Sequence, residues 1–134
     1  MAWVTKRRIA ITTIAIVALV LAPLLSGYLW LKASYLRGRL AAKRDVRKGQ
    51  YLELGYGLPV PWRKDGARLV HDRFPEAQFV PVAGCVVSSS LQQYVRGYND
   101  YAQQASMKHF GHDVFAESFD EAYRTFQQQP VLKD

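Results

Sequence analysis

Read by its apolar and polar positions, the chain opens on a long uncharged stretch. From Ile9 to Leu31 there is no charged side chain, and Thr12, Thr13 and Ser26 are the aliphatic hydroxyl residues within it. A helix over that stretch rises about 34 Å at about 1.5 Å per residue, enough to cross a hydrocarbon core of roughly 30 Å. Trp3 lies before the stretch and Tyr28, Trp30 and Tyr35 lie at its far end, where amphipathic rings favour a headgroup level. Lys6, Arg7, Arg8 and Lys32 close it with charge. The pattern predicts a transmembrane helix over residues 9–31, with Pro23 as a point of bending. A cleaved signal peptide is disfavoured, because its apolar core would be only about 7–15 residues long and would end in a small-x-small pattern.

Beyond the stretch the periodicity changes repeatedly. Lys32 to Lys48 is helical and basic, with Leu36, Leu40 and Val46 as its larger aliphatics and Gly49 as its stop. Tyr51–Tyr56 predicts a short strand. Leu58-Pro59-Val60-Pro61-Trp62 predicts an extended loop, since two prolines remove ladder donors, with Trp62 packed on the domain. Asp65–Phe74 predicts a helix that Pro75 ends, and Phe79–Val87 a buried, Val-rich strand interrupted at Pro81. Leu91, Val95, Tyr98, Ala102, Ala105 and His109 recur at steps of three or four, predicting a long helix over about residues 90–110. A capping box at Ser89 with Gln92, or Ser90 with Gln93, starts it, and Gly111 stops it. A second box, Ser118 with Glu121, opens a last helix carrying Phe119, Tyr123 and Phe126.

The fold class that follows is a membrane-anchored α/β (α+β) chain. It has a basic tail at 1–8, the transmembrane helix at 9–31, a basic juxtamembrane helix or linker at 32–50, and a small β-α-β-α-α domain at 51–134. Two strands joined through a helix are parallel if they pair. So thin a sheet needs the long helix on one face and a partner chain or the membrane surface on the other.

Composition narrows the picture. With 134 residues, one domain is the ceiling. Hydrophobic residues at 49% against 22% charged exclude extended disorder, and a single Cys excludes a disulfide framework or cysteine-rich zinc module. The net charge of +7 is unevenly spread. Residues 1–50 hold ten basic side chains and one acidic, Asp45, for +9, whereas residues 51–134 hold eight basic and ten acidic, for −2. A nucleic-acid partner therefore loses its support, since the basic footprint is not on the folded module. Lys32, Arg37, Arg39, Lys43, Arg44, Arg47 and Lys48 follow the apolar stretch closely. They are the candidate membrane-surface residues, able to meet anionic headgroups, and by the positive-inside rule they place the C-terminal domain in the cytoplasm, against the pull of Lys6, Arg7 and Arg8.

Candidate chemistry is sparse. Ser88–Ser90 after a Val-rich strand stands where a nucleophile or phosphate loop would sit, but no G-x-S-x-G or Walker pattern accompanies it, and helix capping explains the serines. His109 and His112 are three apart with Gly111 between them, which does not make a metal site. Cys85 reads as core. Ala18, Ala22 and Ser26 recur every four residues, a spacing that chance supplies readily in an alanine-rich helix, and Tyr94, Tyr98 and Tyr101 read as a packed face.

The expectation is a non-enzymatic, single-pass, signal-anchor protein of a bacterial inner membrane. It presents a small domain for protein–protein interaction or assembly of a membrane complex. Its partners are the lipid bilayer and a protein or second copy, with no metal, cofactor or nucleic acid. The alternative is a small membrane-anchored enzyme or ligand-binding domain using Ser88–Ser90 and His109/His112.

Overall fold

The computed structural model describes the backbone of residues 2–57 and 60–128, and the side chains of residues 18, 19, 21–57 and 60–128. Helix α1 (Ala2–Arg47) is followed by β1 (Tyr51–Tyr56), α2 (Pro61–Arg73), β2 (Ala77–Ala83), α3 (Ser89–Phe110) and α4 (Val114–Gln128).

The transmembrane helix expected over residues 9–31 is not borne out. Among the described residues no helix is long and apolar enough to cross a membrane. The side chains of residues 9–17 and 20, within the expected span of 9–31, lie outside the described set. Helix α1 runs unbroken through residues 9–31 and on through the basic helix expected from Lys32 to Lys48, with a left-handed Gly49 just past its end. The membrane-anchored fold class is replaced, among the described residues, by four helices around a two-stranded parallel sheet. The single-pass, signal-anchor and inner-membrane assignments, with the cytoplasmic orientation derived from them, fall with the span.

The sheet pairs β1 with β2 in parallel, in register from Tyr51 opposite Ala77 to Gly55 opposite Pro81, with a shift that brings Tyr56 opposite Ala83. The Tyr51 amide donates to the Glu76 carbonyl. Given the alternation of a parallel ladder, Gln78, Val80 and Val82 turn their backbone groups toward β1, and Pro81 falls where its missing N–H faces away. This is how a proline is accommodated inside β2.

Both faces of the sheet are covered by the chain itself. On one side Leu54 packs with Ala42 of α1 and Val95, Tyr98 and Ala102 of α3. On the other, Val70 of α2, Ala77, and Val114 and Phe115 of α4 form a second cluster, with Tyr51, Phe74, Phe110 and Phe119 against it. The partner chain or membrane surface expected to cover that face is therefore replaced by α2 and α4, held together further by a bidentate Arg73–Glu121 pair at 2.7 Å. Trp62 is half-buried, edge-on to Tyr123 and Phe119.

Several element limits shift for local reasons. Helix α2 starts at Pro61, since a proline in the first turn forfeits no intrahelical bond. Ser88 caps α3, its hydroxyl accepting from the Leu91 amide, one residue before the earlier of the two expected boxes. Gly111, in the left-handed conformation, ends that helix and its amide donates to the Met107 carbonyl. Asp113 caps α4, accepting from the Ala116 amide, so Ser118 is a buried residue of α4 and not its cap. Strand β2 stops at Ala83, and Cys85 and Val86 beyond it are exposed; the core placement of Cys85 is corrected accordingly.

The free edge of β1 has its own closure. Asn99 of α3 lies beside Leu54, donating Nδ2 to the Leu54 carbonyl at 2.8 Å and accepting at Oδ1 from the Leu54 amide at 2.9 Å. One side chain thus takes the place of a third strand for one residue of the ladder. Replacing Asn99 with Leu leaves two backbone groups without partners, and urea denaturation is expected to show a loss of about 2–4 kcal/mol.

Candidate functional site

Helix α1 has two different environments along its length. From Ser34 to Asp45 one side is locked to α3. Ser34 and Ser90 hydroxyls share a hydrogen bond at 2.8 Å, Tyr35 donates to Asp100 at 2.9 Å, and Tyr98 donates to Asp45 at 2.7 Å. Burial and the Asp45 carboxylate push the Tyr98 phenol well above its ordinary range, so it stays a neutral donor. Gly38 and Gly97 are buried where the two backbones meet.

The other side of the same helix is bare. Lys32, Arg37, Arg39, Lys43, Arg44, Arg47 and Lys48 are all exposed. At about 3.6 residues per turn they fall on one half of the helix circumference, opposite buried Ser34, Gly38 and Ala42. None of the seven makes an ion pair among the described residues. Leu36 and Leu40 lie among them, 56% and 63% exposed.

Toward its N-terminus α1 leaves the body of the fold. From residue 21 to residue 30 every side chain is exposed, including Leu21, Leu24, Leu25, Tyr28, Leu29 and Trp30. A contiguous apolar surface of this kind is rarely left bare in water. The separation is visible only in three dimensions. Periodicity marks which positions are apolar, not which side α3 takes.

Glu53 was not singled out by its sequence context, a short strand of apolar neighbours. It lies on the β1 side facing α4, in a cavity of about 340 Å³ walled by Trp62, Phe79 and Phe119, with Arg63, Gln103 and Asp113 at its polar side. Burial, and secondarily the Asp113 carboxylate, push its carboxyl up to about 7. Asp113 is itself committed, accepting from Gln103 Nε2 at 2.9 Å and from the Ala116 amide at 3.0 Å. The arrangement can hold or release one proton near neutrality. A charged residue at an inward position of a strand was the signal available to find it.

A second, largely apolar cleft of about 480 Å³ opens at the C-terminal ends of the strands, between Tyr56, Phe79 and Val82, with Arg63 and Lys64 of α2 on its rim. Arg63 is tied there by a 3.0 Å bond to the Tyr56 carbonyl.

The residues of the alternative reading are not brought together. Ser88–Ser90 stand at the start of α3 and His109 and His112 at its end, about 30 Å apart along a 22-residue helix. Ser88 caps the helix and Ser90 meets Ser34. His109 stacks on Tyr51 with ring centroids 4.6 Å apart, and His112 lies 3.2 Å from Glu117. Among the described residues no group of three or more His, Cys, Asp or Glu side chains is placed to hold a metal ion. Compared with protein-family models, curated proteins and solved structures, the chain matches none.

Proposed function

We propose that this chain is an interaction protein whose small α/β body serves to hold and present α1 to another protein chain. The observation that carries the reading is the run of exposed apolar side chains on α1, from Leu21 through Leu25, Leu29 and Trp30 to Leu36 and Leu40. Large apolar side chains on a regular helix, unpartnered within the chain, gain about 1.5–3 kcal/mol each on full burial. Several of them on one strip supply the driving force for a stable contact. The body supports the presentation: the hydrogen bonds of Ser34, Tyr35 and Asp45 to α3 fix which side of α1 faces outward.

The test is site-specific photo-crosslinking in the native cell, with a photoreactive side chain at Leu29. The expected result is a discrete adduct, identified by mass spectrometry as a protein, that disappears when Leu25 and Leu36 are changed to Glu. The same probe at Glu117, on exposed α4, is the control expected to give none. A Leu29 probe that gives no discrete adduct overturns the reading.

A further inference from the structure

The strip on α1 has a period as well as an exposure. Ala22, Leu25, Leu29, Leu36 and Leu40 follow one another at steps of three, four, seven and four, the spacing of a seam that receives a second helix. All five are exposed, Leu25 and Leu29 at 58% and 64%. Arg37, Arg39, Lys43 and Arg44 flank the C-terminal part of the seam, and Lys32 sits within it.

Charge then chooses the occupant. The α1 helix of a second copy, laid along this one, brings no carboxylate to these cations in either orientation. Residues 18–48 contain one acidic side chain, Asp45, and it already accepts from Tyr98 on the packed side. A parallel pair would set cation against cation, and an antiparallel pair would leave the cations facing apolar side chains. A duplex of nucleic acid would satisfy the cations and leave Leu25, Leu29, Leu36 and Leu40 against phosphates. An amphipathic helix with an apolar seam and acidic flanks satisfies both features at once.

We propose that the exposed side of α1, from Ala22 to Arg44, is the docking strip for an acid-flanked amphipathic helix on a different protein. The proposal rests on the reading of α1 as a protein-contact surface and adds the chemistry of the partner. Leu25, Leu29, Leu36 and Leu40 bury against the partner's apolar seam, while Arg37, Arg39, Lys43 and Arg44 meet carboxylates beside it. Because the cations are at the rim, they set partner choice and association rate, and the leucines hold the complex together.

The experiment uses the full chain and two synthetic helices of about four heptads, with Leu at the seam and either Glu or Lys at both flanks, read by fluorescence anisotropy. The Glu-flanked helix is expected to bind at least about tenfold more tightly than the Lys-flanked one. Its binding should weaken by about tenfold or more in Leu36→Glu/Leu40→Glu and in Arg37→Glu/Arg44→Glu. All four positions are exposed, so near-ultraviolet circular dichroism should be unchanged in both variants. Equal binding of the two helices overturns the proposal. So does tighter binding of a DNA duplex, or of phosphatidylglycerol vesicles, that is lost in Arg37→Glu/Arg44→Glu and kept in Leu36→Glu/Leu40→Glu. If sedimentation shows the chain alone to be a dimer that Leu25→Glu dissociates, α1 remains a protein-contact surface and the acidic partner is refuted. If neither helix binds and the Leu29 probe forms no adduct, both readings fall together.

Discussion

Replacing Gly97 with alanine is expected to destabilise the protein by about 3 kcal/mol or more, although in isolation the change favours a helix by about 1 kcal/mol. A methyl group at Gly97 would collide with the backbone carbonyl of Tyr35, and one at Gly38 would collide with the Tyr94 carbonyl. Backbone cannot rotate away as a side-chain tip can, so α1 and α3 must separate. Separation lengthens the Tyr35–Asp100 and Tyr98–Asp45 bonds, each below 3 Å, and opens the cluster of Ala42, Val95, Tyr98 and Ala102. Urea denaturation followed by circular dichroism measures the loss, and a variant that does not fold has the same sign. Gly27→Ala is the opposite case. Nothing lies within 4 Å of a methyl there, and the helix is expected to gain up to about 1 kcal/mol. A Gly97→Ala protein as stable as the parent would show that the close helix approach does not hold.

Replacing Glu53 with glutamine is expected to stabilise the protein at pH 8 and to change little with pH below 4.5. The folded carboxyl titrates at about 7 and the unfolded one near 4.5, so the folded state holds its proton more tightly. Below 4.5 both states are protonated and folding is not penalised. Between 4.5 and 7 the unfolded state releases the proton first, and stability falls as pH rises. Above 7 the folded chain carries a half-buried charge, at a cost of about 3 kcal/mol at most, since Glu53 is only partly shielded from water. Denaturation of both proteins at pH 4, 6 and 8 isolates the residue, because all other groups cancel in the difference. A difference that stays flat across that range contradicts the assignment.

Helix α3 was legible to within a residue at each end, because its apolar positions recur at steps of three or four and Gly111 punctuates it. Strand β1 was legible from its aromatic and aliphatic residues. Helix starts were less so: three hydroxyls in a row offer several caps of similar chemistry, and only the geometry picks Ser88. Gly38 and Gly97 each interrupt a good helical pattern, a local weakness whose reason, backbone meeting backbone, lies in a contact between residues far apart in sequence. Glu53 stayed hidden because its acidity is set first by burial among Trp62, Phe79 and Phe119 and then by Asp113, side chains that only the fold brings to β1.

The largest correction concerns residues 9–31. An uncharged run reads as a membrane span when it is weighed alone, but among the described residues no helix is long and apolar enough to cross a membrane. Periodicity in the chain marked most helices and strands approximately, glycine marked two helix ends, and the charge count put the positive surplus before residue 50. The tertiary structure decided the relations between them: which side of α1 is buried, what covers the second face of the sheet, and where one carboxyl is held near neutrality. Periodicity and charge are properties of neighbours along the chain. Burial and acidity depend on neighbours in space, and those come from other elements.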